Sequence, residues 1–211
     1  MLPPGNRRPG RPPAATADKT RQRILQAARL VFSERGYDGA TFKAIATRVD
    51  LSRPAINHYF SSKRALYREA MDDTNEFVIG ASIKQADGET GLVARLTAFV
   101  SAAVKADSEN PTVSSFIIGG LLESQRHPEW NGTENDSIRI AREFLMRVVN
   151  DAIECGEVVA DIDASVLVET LLVITSGVGL YAGYIESYEE MIAVTGMLRQ
   201  LLESVLSRPE V

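Results

Sequence analysis

The stretch TFKAIATRVDLSRPAINHYF, residues 41–60, decides the fold on the N-terminal side of the chain. Its pattern predicts two short helices joined by a tight turn at Asp50, which is the anatomy of a helix-turn-helix. Thr41 begins the first helix, and Ser52 caps the second, with Pro54 in its first turn. Because the second helix begins with small or polar side chains, we expect it to lie in the major groove of duplex DNA.

The exposed positions of this predicted recognition helix carry side chains that suit the edges of bases. Arg53 can pair with guanine and Asn57 with adenine through two hydrogen bonds each, while Ala55 can touch a thymine methyl group. A good bidentate pair discriminates between bases by about 1–3 kcal/mol. We therefore predict base contacts from Arg53, Pro54, Ala55, Asn57 and His58, and phosphate contacts from Thr41, Ser52, Tyr59 and Lys63.

Apolar residues outside this stretch recur every three or four positions, which predicts helices throughout. Thr16 is the expected cap of the first helix and Gly36 its end. The buried face of that helix is predicted to be Ile24, Ala27, Ala28, Val31 and Phe32. A long fourth helix opens at Ser61 or Ser62 and runs to about Ala86. The chain is thus predicted to be all-α, with an N-terminal three-helix helix-turn-helix domain joined to a C-terminal bundle of about five to six helices.

The sign of the net charge changes near residue 64, close to the end of the predicted helix-turn-helix domain. Residues 1–64 hold 13 Lys and Arg against 4 Asp and Glu, a net charge of +9, whereas residues 65–211 hold 10 against 24, a net charge of −14. A basic head on an acidic body indicates a head that meets a polyanion, and uneven surface charge without function is the plainer alternative.

Residues 1–15 contain five prolines and almost nothing to bury, so they are predicted to form a disordered basic arm. Its arginines, Arg7, Arg8 and Arg11, could lie in a minor groove of DNA. They could equally form a flexible tail that only attracts phosphates, and the sequence leaves both alternatives open.

Several chemistries find no support in the sequence. The single cysteine, Cys155, and the two histidines are too scattered for a metal site, and we expect no cofactor. There is no phosphate-binding glycine loop, nucleophile elbow or convincing carboxylate pair, so an enzyme is not expected. Residues 1–15 lack the apolar core of a signal peptide, and no apolar run approaches the ~18 residues that span a bilayer. We expect a cytoplasmic protein without a membrane partner, in which Cys155 is structural rather than a redox switch.

Residues 24–66 carry features whose order and spacing resemble the DNA-binding domain of the tetracycline-repressor (TetR) family of bacterial regulators. The chain departs from the family pattern at Asp50, where glycine is usual, and at Asn57, where tyrosine is common. Aspartate can adopt the left-handed backbone of the turn, and Asn57 indicates base preferences of its own. The matching segments are Ile24-Leu25-Gln26-Ala27-Ala28, Phe32, Gly36-Tyr37, Thr41, Ile45-Ala46, residues 51–60, and Ser62-Lys63 with Ala65-Leu66.

The resemblance implies a DNA-binding transcriptional regulator, and repressors are commoner than activators in this family. It implies a homodimer on a palindromic operator, with two recognition helices about 34–36 Å apart, and a small-molecule effector inside the helical bundle. The domains are then a disordered basic arm (1–15), a helix-turn-helix DNA-binding domain (16–62), and an effector-binding and dimerisation domain (63–211). The alternative is a helical protein–protein adaptor whose basic head binds nucleic acid or an acidic partner.

The resemblance also places the dimer interface on the last two helices. Glycines at 177, 179 and 183 fit a close approach of another backbone there, and ordinary core packing is the alternative. The expected interface residues are Leu171, Ile174, Val178, Met191, Leu198, Leu201, Leu202 and Val205. We expect a mostly apolar effector, because few charges can be assigned to the interior. The expected pocket residues, which could equally be plain core, are Phe99, Phe116, Trp130, Phe144, Met146, Tyr181 and Tyr184.

Overall fold

The computed structural model describes residues 14–110, 112–130, 136–158, 162–185 and 187–206, and the regular secondary structure in these ranges is helical. The predicted all-α architecture, with an N-terminal helix-turn-helix and a C-terminal helical bundle, is confirmed. The arm residues Arg7, Arg8 and Arg11 lie outside the described ranges. Residue 14, which was assigned to the arm, is already helical.

Three helices form the head: α1 (Ala14–Gly39), α2 (Phe42–Arg48) and α3 (Arg53–Tyr59). The predicted inner face of α1 is confirmed, since none of its five residues is more than 4% exposed. Gly36 breaks α1 with a φ of 66°, as expected of a glycine at a helix end. The expectation that Thr16 caps α1 is wrong, because the helix begins two residues earlier, at alanines that favour helix.

Side-chain caps and the turn residue shape the helix-turn-helix as the sequence predicts. The Thr41 hydroxyl accepts a hydrogen bond from the Ala44 N–H at the start of α2, and the Ser52 hydroxyl accepts one from the Ala55 N–H at the start of α3. Asp50 has a φ of 54°, so it adopts the left-handed conformation that the turn requires. These local signals fix the direction in which α3 leaves the turn.

A continuous helical rod connects the head with the body. It consists of α4 (Lys63–Asn75), a π-helical turn (Glu76–Gly80) and α5 (Ala81–Ala86), and Ser62 caps its start. The predicted long fourth helix is therefore confirmed, whereas the π-helical turn is not visible in the sequence pattern. The other body helices are α6 (Leu92–Glu109), α7 (Thr112–Arg126), a short 3-10 turn (Pro128–Trp130), α8 (Ser137–Glu154), α9 (Ala164–Ala182) and α10 (Tyr188–Leu206).

Two main hydrophobic clusters hold the molecule together. The head cluster joins α1, α2 and α3 to the first half of α4, and it also takes in Phe116 of α7. The body cluster joins α6, α8, α9 and α10, with Leu96, Leu145 and Leu171 almost completely buried. Because the head cluster extends past residue 62 and includes a body residue, the head and the body share a packed junction.

One body helix is unusually apolar and largely uncovered. Helix α9 has a mean hydropathy of 1.6, and only 17% of it is buried within the protomer. By length and composition it could cross a membrane, so the expectation that no apolar run approaches this length is wrong. It packs on α7 and α8, and Glu169 on its surface forms an ion pair with Arg142 of α8. Such a helix has one partnered face and one apolar face without a partner in the protomer.

Candidate nucleic-acid interface and effector pocket

The outer face of α3 presents polar side chains to solvent. Ile56 is fully buried and anchors the helix in the head cluster, whereas Arg53, Asn57 and His58 are exposed. Pro54 and Ser52 are also exposed, and Ala55 is half-buried. The arrangement brings the five predicted base-contacting residues, Arg53, Pro54, Ala55, Asn57 and His58, together on or beside one accessible helix face.

The predicted phosphate contacts have different surroundings. Thr41 is exposed, and Tyr59 is half-buried with its carbonyl oxygen accepting a hydrogen bond from Arg21. The Lys63 ammonium donates to the carbonyl oxygens of Tyr37, at 2.7 Å, and Asp38, at 3.3 Å, and it lies 4.3 Å from the centre of the Tyr37 ring. Lys63 thus stabilises the broken end of α1, which leaves one of its three N–H donors for another partner.

Further basic residues lie beside Thr41 that the sequence analysis did not single out. A shallow concave surface next to α2 is lined by Arg35, Lys43 and Thr47, all exposed. Arg48 on the same surface is already paired with Glu34 at 2.9 Å. Positions 43 and 47 are one helical turn apart, so the outer face of α2 could have been recognised from spacing.

An aromatic cluster joins the head to the body. The Trp130 ring lies 4.7 Å from the Tyr37 ring and 5.4 Å from the Tyr67 ring, measured between ring centres, and it stacks on His127 at 4.1 Å. Glu123 of α7 is almost completely buried there, and its carboxylate accepts a hydrogen bond from the Tyr37 backbone N–H at 3.1 Å. Burial raises the pKa of the Tyr67 phenol, and the nearby Glu123 and Tyr37 add to the effect. This cluster links α1, α4 and α7.

Two pockets lie close to this cluster. The first, which we call the junction pocket, has a cavity volume of about 90 Å³. The second, the bundle pocket, has a cavity volume of about 90 Å³ and lies among the π-helical turn, α6, α7, α8 and α9. The junction pocket is lined by Arg64, Tyr67, Arg68, Met71, Gly120, Leu121, Ser124, Trp130, Asp136 and Ser137. The bundle pocket includes Val78, Ile79, Phe99, Ala103, Ile117 and Leu121 in its lining, together with Ser114, Ser137 and Thr175.

Only part of the predicted effector pocket lies at these pockets. Phe99 lines the bundle pocket and Trp130 lines the junction pocket. Phe144 stacks on Phe99 at 4.9 Å, in the core behind the pocket wall. Phe116, Met146, Tyr181 and Tyr184 do not line either of these two pockets, so their predicted role stays untested. Phe116 packs in the head cluster, Met146 lines neither pocket, and Tyr181 and Tyr184 are 47% and 80% exposed. Sequence spacing predicts that these side chains lie on helices, but it does not predict which helix faces line a common pocket.

Helices α9 and α10 share an apolar surface that the protomer leaves open. We call it the α9–α10 face, and its members are Val166, Val173 and Leu180 on α9 and Val194, Met197, Leu201 and Val205 on α10, each 39% to 78% exposed. A Cβ atom added at Gly177 or Gly196 would meet nothing within 4 Å. Gly177 is one turn from Val173 and so lies under open space on this surface, whereas helical spacing places Gly196 on another side of α10 than Val194 and Leu201.

The predicted interface residues divide between this face and the core. Leu201 and Val205 belong to the α9–α10 face, and Ile174, Val178, Leu198 and Leu202 are half-buried beside it. The prediction is wrong for Leu171 and Met191, which are 1% and 2% exposed inside the protomer. Periodicity identifies an apolar helix, but an apolar residue on the inner face follows the same spacing rule as one on the outer face.

The head and its exposed α3 define a DNA-binding protein of the helix-turn-helix class. The family model for bacterial regulatory proteins of the tetR family matches residues 24–70. The regulator UidR of Escherichia coli is 28% identical over 162 residues, which cover 77% of this chain and 81% of UidR. The repressor AcnR of Corynebacterium diphtheriae is 49% identical over 47 residues, which cover 22% of this chain and 25% of AcnR. The solved structure of Salmonella enterica GusR has a TM-score of 0.70 at 27% identity, and the match covers 89% of this chain and 95% of GusR.

The head is a DNA-binding domain of the TetR family of bacterial regulators, and the chain is a DNA-binding transcriptional regulator. The family match runs from residue 24 to residue 70, so it covers most of α1, the helices α2 and α3, and the first half of α4. The bundle pocket and the α9–α10 face belong to the part of the chain that follows this match.

Proposed function

We propose that this chain is a cytoplasmic repressor that binds a palindromic operator as a homodimer and is released by a mostly apolar small molecule. The observation that carries the proposal is the exposed outer face of α3, with Arg53 and Asn57 one turn apart on a basic head. These side chains suit bidentate contacts with guanine and adenine. That the relative AcnR is named a repressor supports repression as the sign of regulation.

In the proposed complex, phosphates flank α3 on two sides. The hydroxyls of Thr41 and Ser52 and the phenol of Tyr59 are the expected partners, and the exposed Lys43 adds a cation beside them. Lys63 contributes its remaining N–H donor and positions the end of α1. Such contacts orient the head without selecting a sequence, whereas the base contacts select it.

Dimerisation is proposed to occur through the α9–α10 face. Seven large apolar side chains are exposed there, and contiguous apolar surface of this kind marks interaction sites in proteins. The open space above Gly177 allows the backbone of a second copy to approach closely. Two copies related by a two-fold axis present two α3 helices, which matches the two half-sites of a palindrome.

The bundle pocket is the proposed effector site. Its lining is mainly apolar, with hydroxyls from Ser114, Ser137 and Thr175 as possible hydrogen-bonding partners. Val78 and Ile79 in its wall belong to the π-helical turn of the rod that leads to the head. Single π-helical turns inside α-helices are frequent at functional sites, because they distort the helix locally.

A route from this pocket to the DNA runs through α7. Leu121 lines the pocket, and two residues further along Glu123 holds the Tyr37 backbone at the end of α1. An effector that shifts α7 or the π-helical turn therefore changes the contacts that fix the head on the body. A coupling of about 1–3 kcal/mol changes operator occupancy by about 5–150-fold.

The test has two steps. The full chain is first used to select duplexes from a randomised pool, and its affinity for the selected duplex is then measured over a series of salt concentrations. The expected result is an inverted repeat, bound by two protomers, with affinity that falls steeply as salt rises. A variant with Arg53→Ala and Asn57→Ala is expected to lose the sequence preference but keep the salt-dependent binding. Binding without sequence preference, or no salt-dependent binding, would contradict the proposal and favour a protein–protein adaptor.

A further inference from the structure

We propose that the effector is an amphipathic anion, with its apolar body in the bundle pocket and its carboxylate or phosphate group in the junction pocket between Arg64 and Arg68. This inference rests on the proposed effector control and adds the chemical class of the molecule. In this proposal the junction pocket binds the charged end of the effector.

The two pockets are neighbours that one elongated molecule can occupy. They share Leu121 and Ser137 as lining residues, so these side chains form the boundary between them. Gly120 lies on the same wall, where an added Cβ would come within 2.5 Å of the Met71 methyl carbon. The absence of that Cβ lets Met71, a flexible side chain, line the passage between α4 and α7.

The junction pocket has an excess of positive charge at its mouth. Arg64 and Arg68 are one helical turn apart on α4, and both are exposed. Neither guanidinium pairs with a carboxylate of the described residues, in contrast to Arg21, which pairs with Glu69 from the same helix. Two arginines without a carboxylate partner among the described residues form an anion-binding environment at the boundary between the basic head and the acidic body.

Among the described lining residues, the one acidic side chain does not cancel this charge. Asp136 caps α8, and one of its oxygens accepts hydrogen bonds from the N–H groups of Ile138, at 3.0 Å, and Arg139, at 3.4 Å. Its negative charge is therefore held by the positive end of the α8 dipole. The Arg64 guanidinium carbon lies 5.8 Å from the Trp130 ring centre, so an anion bound by Arg64 also lies near this ring.

The position of the charged end gives it a direct route to the head. Tyr67 and Trp130 line the junction pocket, and both rings contact Tyr37 of α1. Arg64 itself is in the first turn of α4, which follows α3 by only a few residues. An anion that draws Arg64 and Arg68 together thus acts on the joint between the recognition helix and the body. An apolar molecule confined to the bundle pocket contacts the rod only at its π-helical turn.

The test uses matched probes that differ only in charge. Dodecanoate and dodecyl phosphate are compared with dodecan-1-ol, and naphthylacetate with naphthylethanol, each below its aggregation concentration. Trp130 is the chain's single tryptophan, so its fluorescence reports occupation of the junction pocket in the full-length dimer. The expected result is binding of the anions at least about tenfold tighter than of the alcohols, the size of one charge-assisted hydrogen bond. Comparison of dodecyl phosphate with dodecanoate shows which anion the two arginines prefer.

Variants assign the preference to the two arginines. In the double variant Arg64→Ala, Arg68→Ala, the preference for anions is expected to disappear while the affinity for the alcohols is unchanged. Arg147→Ala, which removes an exposed arginine of α8 paired with Asp87, is the matched control and is expected to keep the preference. Ala103→Phe fills the bundle pocket and is expected to weaken both alcohol and anion.

Each contrary result is decisive. Equal affinity for anion and alcohol, an undiminished preference in the double variant, or no binding in either probe series overturns the proposal. Loss of operator affinity by the double variant without any probe also overturns it, because the arginines then contact DNA. Operator binding measured in parallel separates the two proposals. Anion binding that depends on both arginines but does not release the operator supports this site and contradicts effector control.

Discussion

The head and the α9–α10 face are opposite kinds of surface. The head is complete within one chain, because α1 to α4 bury their apolar faces against each other and leave a polar face on α3. The α9–α10 face is incomplete, because seven large apolar side chains remain exposed on it. A single chain can therefore form a stable recognition helix, whereas in the proposed homodimer a second copy covers the apolar face and sets the distance between two such helices.

The largest expected effect comes from placing charge on the incomplete surface. Val173 and Leu201 are 72% and 56% exposed, so glutamates there are accommodated in a free protomer but are costly in an apolar interface. The double variant Val173→Glu, Leu201→Glu is expected to be monomeric and to lose operator affinity by about a hundredfold or more, since each 1.4 kcal/mol is about tenfold. Analytical ultracentrifugation and operator binding measure the two effects.

Phe77→Glu is the matched control, because Phe77 is 44% exposed on the π-helical turn, away from the α9–α10 face. It is expected to leave the variant dimeric. The comparison of head and face breaks down if the double variant stays dimeric, or if Phe77→Glu dissociates the protein just as well.

The second prediction separates two roles within the head. Arg53→Ala is expected to cost about 1–3 kcal/mol on the preferred operator and to relax base choice at one position of each half-site. Lys43→Ala is expected to weaken all sequences evenly and to reduce the slope of the salt dependence by about one. Competition assays with single-base variants of the operator, repeated over a salt series, measure both. Identical behaviour of the two variants would show that the assignment of base and phosphate contacts is wrong.

The same contrast explains how much of the structure the sequence could predict. The head is determined by local signals: caps at Thr41 and Ser52, a left-handed Asp50, and apolar spacing in α1. Each acts within a few residues, so it is visible in the sequence alone. The extent of α1 at its start was missed because two helix-favouring alanines outweigh a threonine cap.

The body depends on contacts between residues distant in sequence. Leu171 and Leu201 both satisfy helical apolar spacing, yet the first is core and the second lies on the α9–α10 face. The junction pocket combines residues from α4, α7, the 3-10 turn and the start of α8, and no spacing rule links them. Phe116 was expected in an effector pocket, and its place in the head cluster follows from how α7 packs on α1.

The third prediction concerns the joint between the two regions. Lys63→Ala removes two hydrogen bonds to the backbone of residues 37 and 38 and a contact with the Tyr37 ring. The expected loss in the free energy of unfolding is about 1–2 kcal/mol. Lys43→Ala is the matched control and is expected to change stability by less than about 0.5 kcal/mol, because Lys43 is exposed on α2. Urea unfolding of both variants is the measurement. Equal stabilities would show that Lys63 contributes to DNA binding and not to the stability of the fold.

The smallest expected effect is a pH dependence of the free energy of unfolding, which arises from a buried carboxylate in the body. Burial raises the pKa of Asp107, which is 7% exposed, although hydrogen bonds from Ser114 oppose the shift. Because the folded state then holds this proton more tightly than the unfolded state, Asp107 favours folding below its ordinary pKa of 3.8, and this contribution is lost as pH rises through the raised value.

Asp107→Asn keeps an oxygen that can accept from the Ser114 N–H, now 3.2 Å from the carboxylate, but it carries no titrating proton. The variant is therefore expected to gain stability relative to the parent as pH rises from the acid range to neutrality. Urea unfolding at a fixed protein concentration is the measurement, because the stability of a dimer depends on concentration. A constant difference between variant and parent over this range would show that Asp107 titrates alike in the folded and unfolded chains. Operator affinity at neutral pH is expected to be unchanged, since the substitution lies in the body, where α6 meets α7, and leaves both the α3 surface and the α9–α10 face intact.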